Sequence, residues 1–126
     1  MDIATGSSHI LAVTDLEVSR RYYVETLGFA ETHKVDGWAF LSLGNFHVRL
    51  GHCPDITPIS QAQDHSWFAY VTVTDARSLY ADYVRRGVTL WYPLADRPWG
   101  SREFAIITPD QHRIVFGQAL NTQGDA

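Results

Sequence analysis

Metal ligation, nucleophilic attack and proton transfer would fall in this chain to six histidines, one cysteine and fourteen carboxylates. Their spacing offers little support for any of the three. His47, His52, His65 and His112 are scattered, with no His-x-x-x-His pair to place two imidazoles on one helical face. Cys53 is the only cysteine, so an intrachain disulfide and a cysteine-based zinc site are both excluded. It stands beside Pro54 without an evident activating partner, and a packing role is expected. No Gly-x-Ser-x-Gly elbow, phosphate loop or dinucleotide fingerprint occurs. Glu103 would serve as a general base if it were desolvated. The expectation is no catalytic residue set and no cofactor.

The aromatic residues are the richer signal, at 13% of the chain with four tryptophans. A net charge of −4 argues against a general nucleic-acid binder. The chain shows no apolar run of membrane-spanning length and no apolar signal core, which gives no membrane partner and a cytoplasmic location as expectations.

The elements that must position these residues occur twice. Val13-Thr14-Asp15 opens a helical stretch that Gly28 closes, and Val73-Thr74-Asp75 opens another that Gly87 closes. One residue has been gained or lost between the copies. Strand 8–13 leads to a helix starting at a Thr14/Glu17 capping box. Strands 29–35, 38–43 and 46–52 follow, the first two joined by the Asp36-Gly37 turn. The second copy predicts strand 67–73, then a helix with the stripe Ala76, Leu79, Tyr80, Tyr83 and Val84. Strand 88–92, a loop over 93–100, strand 102–107, turn 108–112 and strand 113–118 complete it. Module one thus covers about 7–53, a linker 54–65 and module two about 66–118, with a polar tail from Asn121. Two tandem β-α-β-β-β modules make an α+β fold whose curved sheets would form a groove.

Strand alternation then sorts the side chains. Ile10, Trp38, Phe40, His47 and Arg49 are expected on the groove face of module one. In module two that face would carry Phe68, Tyr70, Arg102, Phe104, Arg113 and Val115. Aromatics and charges would thus stand where a plain core has aliphatics. Flat rings suit a planar ligand, at about 0.5–1.5 kcal/mol per well-stacked pair beyond area burial; filling a core or a subunit interface is the alternative. Arg49 and Arg113 would pair with Glu103 or another carboxylate, or contact a ligand. Trp67 and Trp91 are expected to pack, and His112 to lie at the surface of its turn.

Val13-Thr14-Asp15-Leu16, Tyr22-Tyr23 through Leu27-Gly28-Phe29, and Thr108-Pro109-Asp110 give the chain a resemblance to the vicinal-oxygen-chelate superfamily. That group holds glyoxalase I, extradiol dioxygenases, fosfomycin-resistance enzymes and bleomycin-resistance proteins. Leu79-Tyr80-Ala81-Asp82-Tyr83, Arg97-Pro98-Trp99-Gly100, Arg102-Glu103-Phe104-Ala105 and Asp36-Gly37-Trp38 resemble the bleomycin-resistance branch. The resemblance implies the glyoxalase/bleomycin-resistance fold over residues 8–118. It also implies four metal-ligand positions, which fall here on Ser8, Arg49, Phe68 and Val115. That set is unsuited to a divalent ion, so no metal is expected. His9, one residue from Ser8, is expected to point with Leu11 and Val13 toward the helix.

What the resemblance implies is a metal-free homodimer that sequesters a planar aromatic or glycopeptide-type antibiotic, bleomycin among the candidates. Trp38, Phe40, Phe68, Trp99 and Phe104 would form stacking walls, with Arg49 or Arg102 as polar contacts. Two readings stand beside it. One is a divalent-metal-dependent glyoxalase- or dioxygenase-type enzyme with a relocated site built from His9, His47 and Glu103. The other is an interaction module whose aromatic face takes a peptide or seals a dimer.

Overall fold

The computed structural model describes residues 6–55 and 67–120. The chain divides into two compact units, Met1–Thr57 and Pro58–Ala126. Most of the expected linker and the tail from Asn121 lie outside the described residues.

The first unit holds β1 (His9–Val13), α1 (Leu16–Arg21) running on as a π-helical segment (Tyr22–Leu27), β2 (Ala30–Val35), β3 (Trp38–Leu43) and β4 (Phe46–His52). Its sheet order is β1-β4-β3-β2, with β1 and β4 parallel. The second unit repeats the plan with β5 (Trp67–Thr72), α2 (Ala76–Arg85), β6 (Leu90–Arg97), β7 (Ser101–Ile107) and β8 (Arg113–Ala119). Its order is β5-β8-β7-β6, again with one parallel pair. The fold is α+β, two β-α-β-β-β modules in tandem.

Both helices start on the repeated aspartate. Asp15 Oδ1 accepts from the Val18 amide at 3.2 Å, and Asp75 Oδ1 from the Ser78 amide at 3.1 Å. Each bond satisfies an amide that the first helical turn leaves without an intrahelical partner. The expected Thr14/Glu17 box is therefore corrected by one residue, because Asp15 supplies the cap. Gly28 and Gly87 end the helical stretches at φ of 88° and 77°, where a Cβ would be strained.

Each helix covers one sheet face and buries an apolar layer there. In the first unit this layer includes Val13, Tyr23, Leu27, Leu41, Val48 and Leu50. In the second, Phe104 stacks on Phe116 with ring centroids 5.3 Å apart, and Tyr80 and Tyr83 meet Phe104 edge-on. The expected 93–100 loop is partly strand, since β6 runs to Arg97. Its register against β7 shifts between Tyr92 and Ala95, and that irregularity accommodates Pro93, which has no N–H to donate to a ladder.

Candidate ligand-binding site

The opposite sheet face of the second unit, away from α2, carries the candidate site. Residues paired across strands share a face, so Glu103 opposite Gly117 and Ala105 opposite Val115 put these four side-chain positions together. Tyr70 joins them opposite Val115, and Tyr92 opposite Ala105. A cavity of 390 Å³ opens there, lined by Phe68, Ala69, Tyr70, Tyr92, Trp99, Glu103 and Val115.

Glu103 is the hub. It is only 4% exposed, and three donors meet its Oε2: Ser101 Oγ at 2.6 Å, Tyr70 Oη at 2.8 Å and Trp99 Nε1 at 3.1 Å. Burial alone would favour the neutral acid. The bonds from Ser101, Trp99 and Tyr70, with the charge of Arg97, outweigh it and hold the carboxyl below its ordinary value. Glu103 is thus an anion at neutral pH. Its influence runs outward too. Burial, and then the bond to Glu103, push the Tyr70 phenol up, and Tyr92 is raised by burial and by the charge of Glu103.

The hub fixes the walls. Trp99 is 69% exposed, yet its indole N–H is tied to a buried carboxylate, so the ring is presented in one posture. Tyr70 reaches Glu103 across Gly117, where a Cβ would lie 1.9 Å from the phenol oxygen. Glycine is the residue that lets this ring pass. Arg97 lies over the Tyr92 ring at 4.7 Å and Arg113 over Trp91 at 4.6 Å.

Of the expected site residues, Phe68 and Trp99 line this cavity. Arg102 and Phe104 do not, because β7 turns the alternate residues, Glu103 and Ala105, to the cavity face. Phe104 is fully buried against the α2 side. Arg102 stands opposite Gln118, whose side chain accepts from the Ala76 amide at the start of α2, and it pairs with Asp96 at 2.7 Å. Glu103 is therefore no partner of Arg102, Arg49 or Arg113 in any ion pair among the described residues.

In the first unit Trp38, Phe40, His47 and Arg49 share the face away from α1 with Ile10. Arg49 stacks over Phe40 at 4.7 Å, and the Trp38 ring lies 3.1 Å from where a Gly51 Cβ would stand. Ser8, Ile10, His47 and Arg49 border an open hollow. His9 points the other way and meets Phe46 edge-on at 5.4 Å, so His9 and His47 lie on opposite faces of one sheet and do not assemble a shared site. His112 is a further correction: it is buried, its ring 6.0 Å from Phe68, and desolvation lowers its basicity. The side chain of Trp67 lies outside the described residues.

The four positions where the family resemblance implies a metal offer a hydroxyl, a guanidinium stacked on a ring, a phenyl and a buried isopropyl. They do not fit a divalent ion. Among the described residues no group of three or more His, Cys, Asp or Glu is placed to hold one.

Known proteins place this architecture. The family model of the Glyoxalase/Bleomycin resistance protein/Dioxygenase superfamily matches residues 6–116, and the chain belongs to that superfamily. Within it, the chain is 28% identical over 127 aligned positions to the bleomycin resistance proteins of Geobacillus stearothermophilus and Staphylococcus aureus, an alignment covering 89% of this chain and 95% of theirs. The bleomycin-binding protein of bleomycin-producing Streptomyces verticillus, solved with copper(II)-bleomycin, superposes with a TM-score of 0.72 at 24% identity, over 92% of this chain and 97% of that one. The bleomycin resistance determinant encoded on transposon Tn5 gives 0.74 at 20%, over 92% and 98%. These two likenesses establish the shared fold.

Proposed function

We propose that this protein binds a flat aromatic or heteroaromatic antibiotic of the bleomycin type and sequesters it without chemical conversion, acting as a metal-free homodimer in the cytoplasm. The observation that carries the reading is the second-unit cavity, with aromatic walls and one buried anion. Its 390 Å³ falls in the range of small-molecule sites, which are mostly apolar with a few placed polar groups. That volume suits a planar fragment of a large drug. The names of the bleomycin-resistance relatives supply the drug class, and the unsuited ligand set at Ser8, Arg49, Phe68 and Val115 supplies the metal-free element.

The test is a titration of chelator-treated protein with bleomycin, with and without copper on the drug, followed by tryptophan fluorescence and heat. Saturation near one drug per chain, with intact drug recovered and Trp99→Phe losing most of the quench, is the expected result. A flat titration overturns the antibiotic assignment, and recovery of altered drug overturns sequestration. Sedimentation of the free and loaded protein checks the dimer.

A further inference from the structure

The cavity holds more information than its flatness. Its one ionised group is Glu103, which lines the cavity. The bonds from Ser101, Tyr70 and Trp99 end on Oε2, and the Tyr92 hydroxyl also approaches the carboxylate. Among the described residues no ion pair neutralises it. Arg97, the nearby cation, lies over the face of Tyr92 and acts on Glu103 through space, without an ion pair. Around the carboxylate stand Phe68, Tyr70, Tyr92 and Trp99, whose ring faces carry partial negative charge and attract cations. Arg97 over Tyr92 shows one such wall already accepting a delocalised cation. A buried anion among ring faces repels an anionic ligand and gives a neutral one little beyond stacking.

Resting on the assignment of this cavity as the ligand site, we infer that it selects a planar organic cation. The ligand group is an amidinium, guanidinium or protonated amine carried on a flat aromatic body. Its N–H donors address Glu103 while its body stacks on Trp99. The bond is charge-assisted at both ends, which is the strong class of hydrogen bond.

The test compares 2-naphthamidine with 2-naphthamide, which share a flat body and differ in charge, by tryptophan quenching and calorimetry at neutral pH. The expected result is a preference for the amidine of about tenfold or more, in line with a hydrogen bond between charged groups. It should disappear in Glu103→Gln and persist in Glu25→Gln, a carboxylate exposed on the first helical stretch. Equal binding of the two probes, binding of neither, or a preference that survives Glu103→Gln overturns the inference. The wild-type comparison stands even if the Gln variant unfolds. Bleomycin saturation without a charge preference would remove the cation rule and leave the antibiotic reading. A charge preference without bleomycin binding would do the reverse.

Discussion

The two modules are built to one plan and differ on one face. Toward the helix, equivalent strand positions stay apolar: Leu41 and Ile106, Val48 and Ile114, Leu50 and Phe116. On the other face, the partners of the equivalent glycines Gly51 and Gly117 are Trp38 and Glu103. The position of Phe40 is taken by Ala105 and that of Arg49 by Val115. Module one therefore presents a guanidinium on an aromatic ring, and module two a buried carboxylate among aromatic rings. The difference teaches that the helix-side layer carries the fold. The exposed face tolerates a change in the sign of its charge without disturbing strand order, so specificity is able to diverge there.

That division is broken most severely by confusing the two faces of β7. Phe104→Ala removes a fully buried ring stacked on Phe116 and is expected to cost about 3–5 kcal/mol of unfolding free energy. Trp99→Ala, in the turn before β7, loses one donor to Glu103 and should cost only about 1–2 kcal/mol while removing most ligand-induced quenching. Urea unfolding of both variants, with titration of the folded protein, checks this. If Phe104→Ala weakened binding to folded protein as much as Trp99→Ala, the two-face account would fail.

Glu103→Gln sharpens the comparison next, because module one has no equivalent buried anion. Replacing a charged acceptor of three bonds is expected to cost about 1–3 kcal/mol at pH 7. The sign of the pH dependence follows from the direction of the shift. Glu103 is held below the ordinary glutamate value of 4.5, so the unfolded chain takes up the proton first as pH falls. Its contribution is complete above that value and is lost as pH drops through the lower native one. The gap between wild type and Glu103→Gln, measured by chemical unfolding at successive pH values, should be constant near neutrality and narrow below pH 4.5. A gap unchanged into acid would show that Glu103 is not held as an anion.

Much of this was legible in the chain itself, for identifiable reasons. The repeated Val-Thr-Asp and glycine stops fix the helices because caps are local chemistry, and alternation reads correctly where a strand buries one face. In β4, Phe46, Val48 and Leu50 are buried while His47 and Arg49 are exposed, so Arg49 could be assigned its face. In β7 the run Phe104-Ala105-Ile106-Ile107 is apolar on both faces, Phe104 through Ile106 being fully buried. Period two vanishes there, and the face of Phe104 was unreadable. The repeat held a usable signal: aligning Gly51 with Gly117 puts Glu103 where Trp38 stands. Tyr92 was hidden by the irregular β6, and the burial of His112 by a turn whose Gln111 adopts a φ of 71°.

The paired glycines give a finer contrast. A methyl at Gly117 would meet the Tyr70 oxygen at 1.9 Å, whereas at Gly51 it would meet the Trp38 ring at 3.1 Å. Gly117→Ala must expel Tyr70 from its bond to Glu103, with an expected cost of about 1–3 kcal/mol. Gly51→Ala requires only a small ring displacement and should cost less than about 1 kcal/mol, part of it offset by the lower entropy of the unfolded chain. Thermal melts order the two, and an equal cost would mean that Tyr70 is not seated as described.

The smallest effect belongs to Arg49. Its guanidinium rests 4.7 Å from the Phe40 ring centre on an exposed strand position, where solvent screens the charge and the ring supplies most of the attraction. Arg49→Met keeps an unbranched apolar stem over the ring and removes only the cation, so the loss should be about 0.5–1 kcal/mol, the range for exposed cation–π contacts. Affinity for the planar cation of the second unit should stay within a factor of about two, which corresponds to less than about 0.5 kcal/mol. A larger gain would mean that the guanidinium repels the ligand, and a larger loss that Arg49 contacts it. Either result would give module one a part in cation selection, because the charge difference between the modules would then be felt by one ligand.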